Sequence, residues 1–141
     1  MEDGHFESDK FSVRWADGGD VLLLEVHTPY EAKDVWGMTE QLQRFLDDDE
    51  PPRLLLIDHA GAPNLMPRDV RKELEKTTDR MPVEFFVVTG LNNLNRMVGR
   101  IIARVFRPGQ VNFFDTPAEG IEWLRGQAAN FKAELEAKGT P

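Results

Sequence analysis

The stretch from Arg53 to Pro67, RLLLIDHAGAPNLMP, constrains the fold more than any other part of the chain. Four consecutive apolar residues, Leu54 to Ile57, end in Asp58 and His59 and run into a loop punctuated by Gly61, Pro63 and Pro67. A short, unalternating apolar run bounded by turn residues is the pattern of a strand buried on both faces. It predicts the central strand of an open α/β sheet. In such sheets ligands and partners meet the crevice outside the carboxyl ends of the strands, which directs attention to the loop from Asp58 to Met66.

The flanking segments supply the rest of the sheet. Phe11, Val13 and Trp15 alternate with Ser12 and Arg14, and Asp17-Gly18-Gly19-Asp20 turns the chain into Val21 to Val26, which predicts an antiparallel hairpin with its first strand toward an edge. MPVEFFVVT, Met81 to Thr89, reads as a second buried strand, and Val111 to Phe114 as a short last one. Between them lie four helical patterns. Thr28-Pro29-Tyr30-Glu31 carries a cap, a first-turn proline and a glutamate three residues on, so the first helix is expected from Thr28 to about Leu46 with Ala32, Val35, Trp36, Thr39, Leu42, Phe45 and Leu46 facing inward. Pro67 to Asp79 is a short charged helix. Asn92 to Phe106 has apolar residues at Leu94, Met97, Val98, Ile101, Ile102 and Val105. Thr116-Pro117-Ala118-Glu119 opens the last helix, which Gly120 and Gly126 weaken, so a break near Gly126 is expected. The resulting organisation is a flexible N-terminal arm over residues 1–10, one α/β domain over residues 11–125, and a C-terminal helical extension and tail over residues 126–141.

Charge narrows the class of partner. The net charge of −8 opposes bulk affinity for nucleic acid or an anionic membrane. The charge is unevenly placed: residues 1–50 hold 14 acids and 4 bases, residues 51–110 hold 6 acids and 10 bases. There is no Cys, which excludes disulfides and thiolate chemistry. No apolar run reaches the roughly 20 residues of a membrane span, and MEDGHFESDK has no secretory pattern, so a cytoplasmic location is expected.

The order of elements resembles the SpoIIAA-like, or STAS/SEC14-type, domains of bacteria. RLLLIDHAG in the third strand, LNRMVGRIIARVF in the penultimate helix and VNFFDTPAEGIEWL at the end carry the resemblance, which spans roughly Phe11 to Arg125. It implies a mixed five-stranded sheet, mostly parallel with an N-terminal antiparallel hairpin, and four helices. It also implies a regulatory module that binds a protein partner or a small ligand, frequently with no enzymatic activity. In the anti-sigma-antagonist branch a Ser or Thr just after the central strand is phosphorylated; here no Ser or Thr stands between Thr39 and Thr77, so that switch is not expected. The SEC14 side of the resemblance implies a lipid cavity, for which the chain offers no additional apolar segment.

Residues with chemical potential are few. A hydrolytic triad would have to come from Ser8, Ser12, His5, His27 and His59 on separate segments, so no catalytic residue is assigned. Asp58-His59 is the best pair for acid–base or metal work, but neighbours on a strand face opposite ways; the expectation is that Asp58 caps loop amides while His59 points to solvent. No third ligand stands at zinc spacing, the acids Asp47 to Glu50 lack the pattern of a calcium loop, and no metal or cofactor is assigned. Asn92 and Asn93 open a helix after Thr89-Gly90 and read as caps, with anion binding as the alternative. Arg96, Arg100 and Arg104, followed by Arg107, form a row with no acid between Leu91 and Gln110. Such a row is either a solvated face or a surface that pairs with carboxylates of an acidic partner or of a second copy. Two functions follow: a non-enzymatic interaction module, expected as a homodimer, that binds an acidic protein through the arginine row and the Asp58, His59, Asn64 and Leu65 loop; or a small-ligand or lipid-binding protein with its pocket at the strand ends among His59, Asn64, Leu91 and Asn92.

Overall fold

Six strands in the order β1-β2-β3-β4-β5-β6 make one mixed sheet. A computed structural model describes residues 5–62, 67–78, 82–92 and 109–139. The hairpin forms as predicted: β2 (Phe11–Trp15) pairs antiparallel with β3 (Val21–Val26) in the register Phe11↔Val26 to Trp15↔Leu22. Gly18 and Gly19 turn it with φ of +94° and +70°, a region side chains avoid. β4 (Leu54–Asp58), β5 (Phe85–Thr89) and β6 (Val111–Phe114) follow in parallel.

The expected count of five strands is corrected by β1 (His5–Glu7), which pairs antiparallel with the outer edge of β2 inside the stretch read as an arm. HFE has no apolar run to announce a strand; pairing with an existing edge, and the tilted contact of Phe6 with Phe11 at 5.3 Å, define it instead. Three helices lie among the described residues: α1 (Ala32–Leu46), α2 (Arg68–Thr78) and α3 (Pro117–Gly139). The fourth expected helix, Asn92 to Phe106, falls almost wholly outside them.

Three helix details depart from expectation. The first helix begins at Ala32 with Glu31 as its cap, not at Thr28, because Tyr30 is drawn into the core and the Glu31 amide donates to Asp34 Oδ2 at 2.8 Å. Trp36 is not a core residue: it stays over a third exposed and donates its indole N–H to Glu73 Oε1 at 2.6 Å, while Met38 takes the buried position. The last helix keeps its predicted cap, with the Glu119 amide donating to Thr116 Oγ1 at 3.3 Å, and runs unbroken through Gly126.

Chain order explains which face each helix covers. Strands β3 to β6 are added on one side in sequence, and right-handed crossovers then put α1 and α2 on the same face. There Val13, Leu22, Leu24 and Leu55 meet Val35, Leu42, Leu46 and Val70 in a buried cluster. After β6 no strand remains to be reached, and α3 folds back over the opposite face. Leu124, fully buried, anchors it against Val21, Leu23, Leu54, Leu56 and Val87. Gly120 permits the close approach, since a Cβ there would stand 2.7 Å from Val87 Cγ1 and 2.8 Å from Leu56 Cδ1. Only part of that face is covered, and its polar stretch around Arg14, Glu25 and Asp58 stays open.

Candidate site at the carboxyl end of the central strand

Asp58 and His59 end the central strand as predicted, and they face opposite sides of the sheet. Asp58 Oδ1 accepts from the Ala60 amide at 3.1 Å and from Thr89 Oγ1 on the neighbouring strand at 3.2 Å. Its expected capping role is therefore present, and its register partners are Glu25 and Thr89.

His59 corrects the expectation of an exposed imidazole, for it is 5% exposed. Alternation turns it to the side opposite Asp58, beneath the segment that leads into α1. Its Nε2 lies 3.5 Å from the Tyr30 hydroxyl, and among the described residues Nδ1 has no hydrogen-bond partner. The His59 amide donates to the Thr89 carbonyl at 2.8 Å, and the His59 carbonyl accepts from the Ala62 amide at 2.9 Å, which holds His59 to Ala62 in a turn. Burial pushes the imidazole down to about 4 and pushes the Tyr30 phenol up.

This burial sets a pH dependence. The folded state holds His59 neutral while the unfolded chain binds a proton near the ordinary imidazole value, so stability is full above about pH 6.5, falls as pH drops, and levels off below about 4. The loss over that window is about 3 kcal/mol. Urea unfolding at a series of pH values, with His59→Leu as the non-titrating comparison, reads it: the wild-type curve falls between pH 6.5 and 4 relative to the variant, and parallel curves contradict the burial.

Two glycines hold the neighbouring loops together. Gly90, at φ +80°, lies against the Ala60 backbone and Asp58, and a Cβ on Gly61 would meet the carbonyl oxygens of Val26 and His27. Of the other residues predicted for this site, Asn92 is exposed, and Asn64, Leu65 and Asn93 lie outside the described residues. Arg96, Arg100, Arg104 and Arg107 also lie outside them.

On the Asp58 side the sheet and the first turns of α3 enclose an open cleft of about 630 Å³. Of the residues expected at a site from the sequence, Asp58 alone lines it. Its lining includes Arg14, Glu25 and Asp58 from the strands and Ile121, Glu122 and Arg125 from α3. Arg14 Nε donates to Glu25 Oε1 at 3.3 Å. Arg125 donates to both oxygens of Asp20, at 2.8 and 3.0 Å, and to the Asp17 carbonyl at 2.7 Å, tying α3 to the hairpin turn. The Arg125 guanidinium holds the Asp20 carboxyl below its ordinary value. Polar residues alternating in β2 were the legible trace of this surface; a pair 105 positions apart left none. Among the described residues no group of three or more His, Asp or Glu side chains is placed to hold a metal ion.

The geometry has counterparts among solved structures. An RsbS variant of Moorella thermoacetica superposes with a TM-score of 0.61 at 14% identity, over 83% of this chain and 96% of that one. A candidate anti-sigma factor antagonist of Thermotoga maritima gives 0.58 at 13%, over 82% and 94%. An uncharacterized protein of the DUF3478 family with a SpoIIAA-like fold, from Shewanella loihica, gives 0.58 at 18%, over 86% and 94%. No protein-family profile matches the chain, and no curated protein matches it in sequence. The fold is the SpoIIAA-like fold that the resemblance implied. No helix among the described residues is long and apolar enough to cross a membrane.

Proposed function

We propose that this chain is a non-enzymatic, cytoplasmic regulatory or scaffold module that works by binding an acidic protein partner and forms a homodimer. The observation that carries this reading is the division of Asp58 from His59. One is pinned to loop and strand on the open face, the other is sealed beneath Tyr30 on the opposite face, so the pair has no common substrate to act on. Two neighbours of the same fold support the reading by analogy: one is an RsbS variant, the other a candidate anti-sigma factor antagonist. The working surface is the arginine row Arg96, Arg100, Arg104 and Arg107 together with Asn64, Leu65, Asn92 and Asn93. With no Ser or Thr between Thr39 and Thr77, control passes through occupancy of that surface and not through phosphorylation after the central strand.

Charge reversal tests it. Arg100→Glu combined with Arg104→Glu is expected to lower the solution mass measured by light scattering from dimer toward monomer, or to reduce recovery of the partner, by several-fold. Unchanged mass together with unchanged recovery overturns the assignment of the arginine row.

A further inference from the structure

We propose that the outer edge of β1 pairs antiparallel with β1 of a second copy and joins two sheets into one, an inference that rests on the homodimer proposed above and assigns its contact.

Backbone alternation defines what the edge offers. β1 ends the sheet, and β2 is its one strand neighbour. The Ser8 amide donates to the Phe11 carbonyl at 2.9 Å, so Ser8 turns toward β2, and two residues back Phe6 does the same opposite Val13. The N–H and C=O of one residue point to the same side, and the side alternates along the strand. His5 and Glu7 therefore aim their backbone groups outward, and among the described residues no hydrogen bond occupies them. After Glu7 the chain folds away, with Ser8 Oγ donating to the Phe11 carbonyl at 3.0 Å. An edge of unpaired main-chain groups accepts an added strand.

The side chains select the occupant. With a two-fold axis at Phe6, His5 stands opposite Glu7 of the second copy, and Glu7 opposite His5 of that copy. Every outward N–H and C=O of the strand then meets its complement. Centring the pair on His5 or on Glu7 instead sets like residues face to face, which opposes pairing, whereas opposite charges across strands favour it. His5 Nε2 lies 3.0 Å from Glu7 Oε1 within one chain, so both side chains share a face, and His27 Nε2 stands 3.6 Å from Glu7 Oε2. Phe6 lies on the other face against Phe11, where the two-fold sets it beside Phe6 of the second copy. A strand lacking this order of charges meets a mismatch at the edge. The contact is isologous and closed, so assembly stops at two copies. A strand of three residues buries less than the roughly 1,200 Å² of a standard interface, so the dimer exchanges and its population follows concentration.

Sedimentation velocity over a concentration series reaching the millimolar range tests the contact. Glu7→Pro removes an outward N–H and spares the ladder to β2, and His5→Glu sets carboxylates opposite each other. Each is expected to weaken the dimer at least tenfold. His5→Glu combined with Glu7→Lys restores opposite charges and returns the affinity to within about threefold of wild type. Both side chains are more than half exposed, so the variants keep the fold. Arg100→Glu with Arg104→Glu leaves this association unchanged and loses only the protein partner. Retention of the dimer by Glu7→Pro overturns the inference and leaves the homodimer on another surface, and failure of the exchanged charges to restore it overturns the two-fold register. A wild type that stays monomeric throughout overturns both the contact and the homodimer.

Discussion

Gly61→Ala lowers the stability of this protein by about 3 kcal/mol, at the upper end of the usual cost of overpacking. The backbone at Gly61 is not in the left-handed region, so strain in φ plays no part. The cost is steric. A Cβ there would meet the carbonyl oxygens of Val26 and His27, the latter at 2.7 Å, and these are main-chain atoms at the end of β3 with no rotamer through which to yield. The loop must lift instead. That movement pulls on the hydrogen bonds from Ala60 to Asp58 and from Ala62 to the His59 carbonyl, so water gains access to the imidazole. The variant therefore has a second signature. Its loss of stability between pH 6.5 and 4 is shallower than that of the wild type, because His59 is less desolvated in its folded state. Urea unfolding with the slope held constant measures both, and a loss below about 0.5 kcal/mol contradicts the close approach of the two backbones.

Leu124→Ala is the second large effect, at about 3 kcal/mol within the 2–5 kcal/mol range for emptying a fully buried leucine site. Leu124 is 0% exposed and holds α3 against five buried residues of strands β3, β4 and β5. The consequence is local to one face. The cluster under α1 and α2 shares none of those residues and keeps its packing. Trp123 reports the difference, because its ring stands 6.3 Å from Phe85 and 6.2 Å from Phe114 and leaves both when α3 loosens. In the variant its fluorescence changes before the global transition, whereas in the wild type the two coincide. Asn130→Ala, on the exposed side of the same helix, has little effect. Equal stability of Leu124→Ala and wild type contradicts the anchoring of α3 on the sheet.

What the sequence disclosed and what it withheld follow from the range of the forces involved. Strands β2 to β6 were legible because apolar runs bounded by turn residues report burial directly. The start of α3 was legible because Thr116 and Glu119 meet within one turn. β1 was not, since HFE gains its order from an edge created by other residues. The start of the first helix was misplaced for a related reason: Thr28 and Pro29 satisfy local rules, but burial of Tyr30 keeps the chain extended until Glu31. Trp36 shows the same competition, because helical spacing placed it inward while an acceptor on α2, Glu73, holds it at the surface.

At the site, alternation along β4 correctly separated Asp58 from His59 but could not say which side was covered. That depended on the topology, which puts α1 and α2 on the His59 side and leaves the Asp58 side partly open. The cleft was not legible as a whole for the same reason, since it joins β2, β3 and β4 to the last helix of the chain, which the pair Asp20 and Arg125 ties to the hairpin turn. Local patterns recover elements. Sites assembled across a sheet face require the order in which the strands are laid down.

The interaction reading has its most direct test in a side-by-side capture from native lysate, using the wild-type chain and a variant with Arg96, Arg100 and Arg104 all changed to Glu. Mass spectrometry of the recovered proteins is the readout, with equal expression and equal unfolding midpoints of the two baits verified first. One acidic protein, or the chain itself, is expected to be enriched by the wild type and lost by the variant. Equal recovery of the same partners by both baits contradicts the reading.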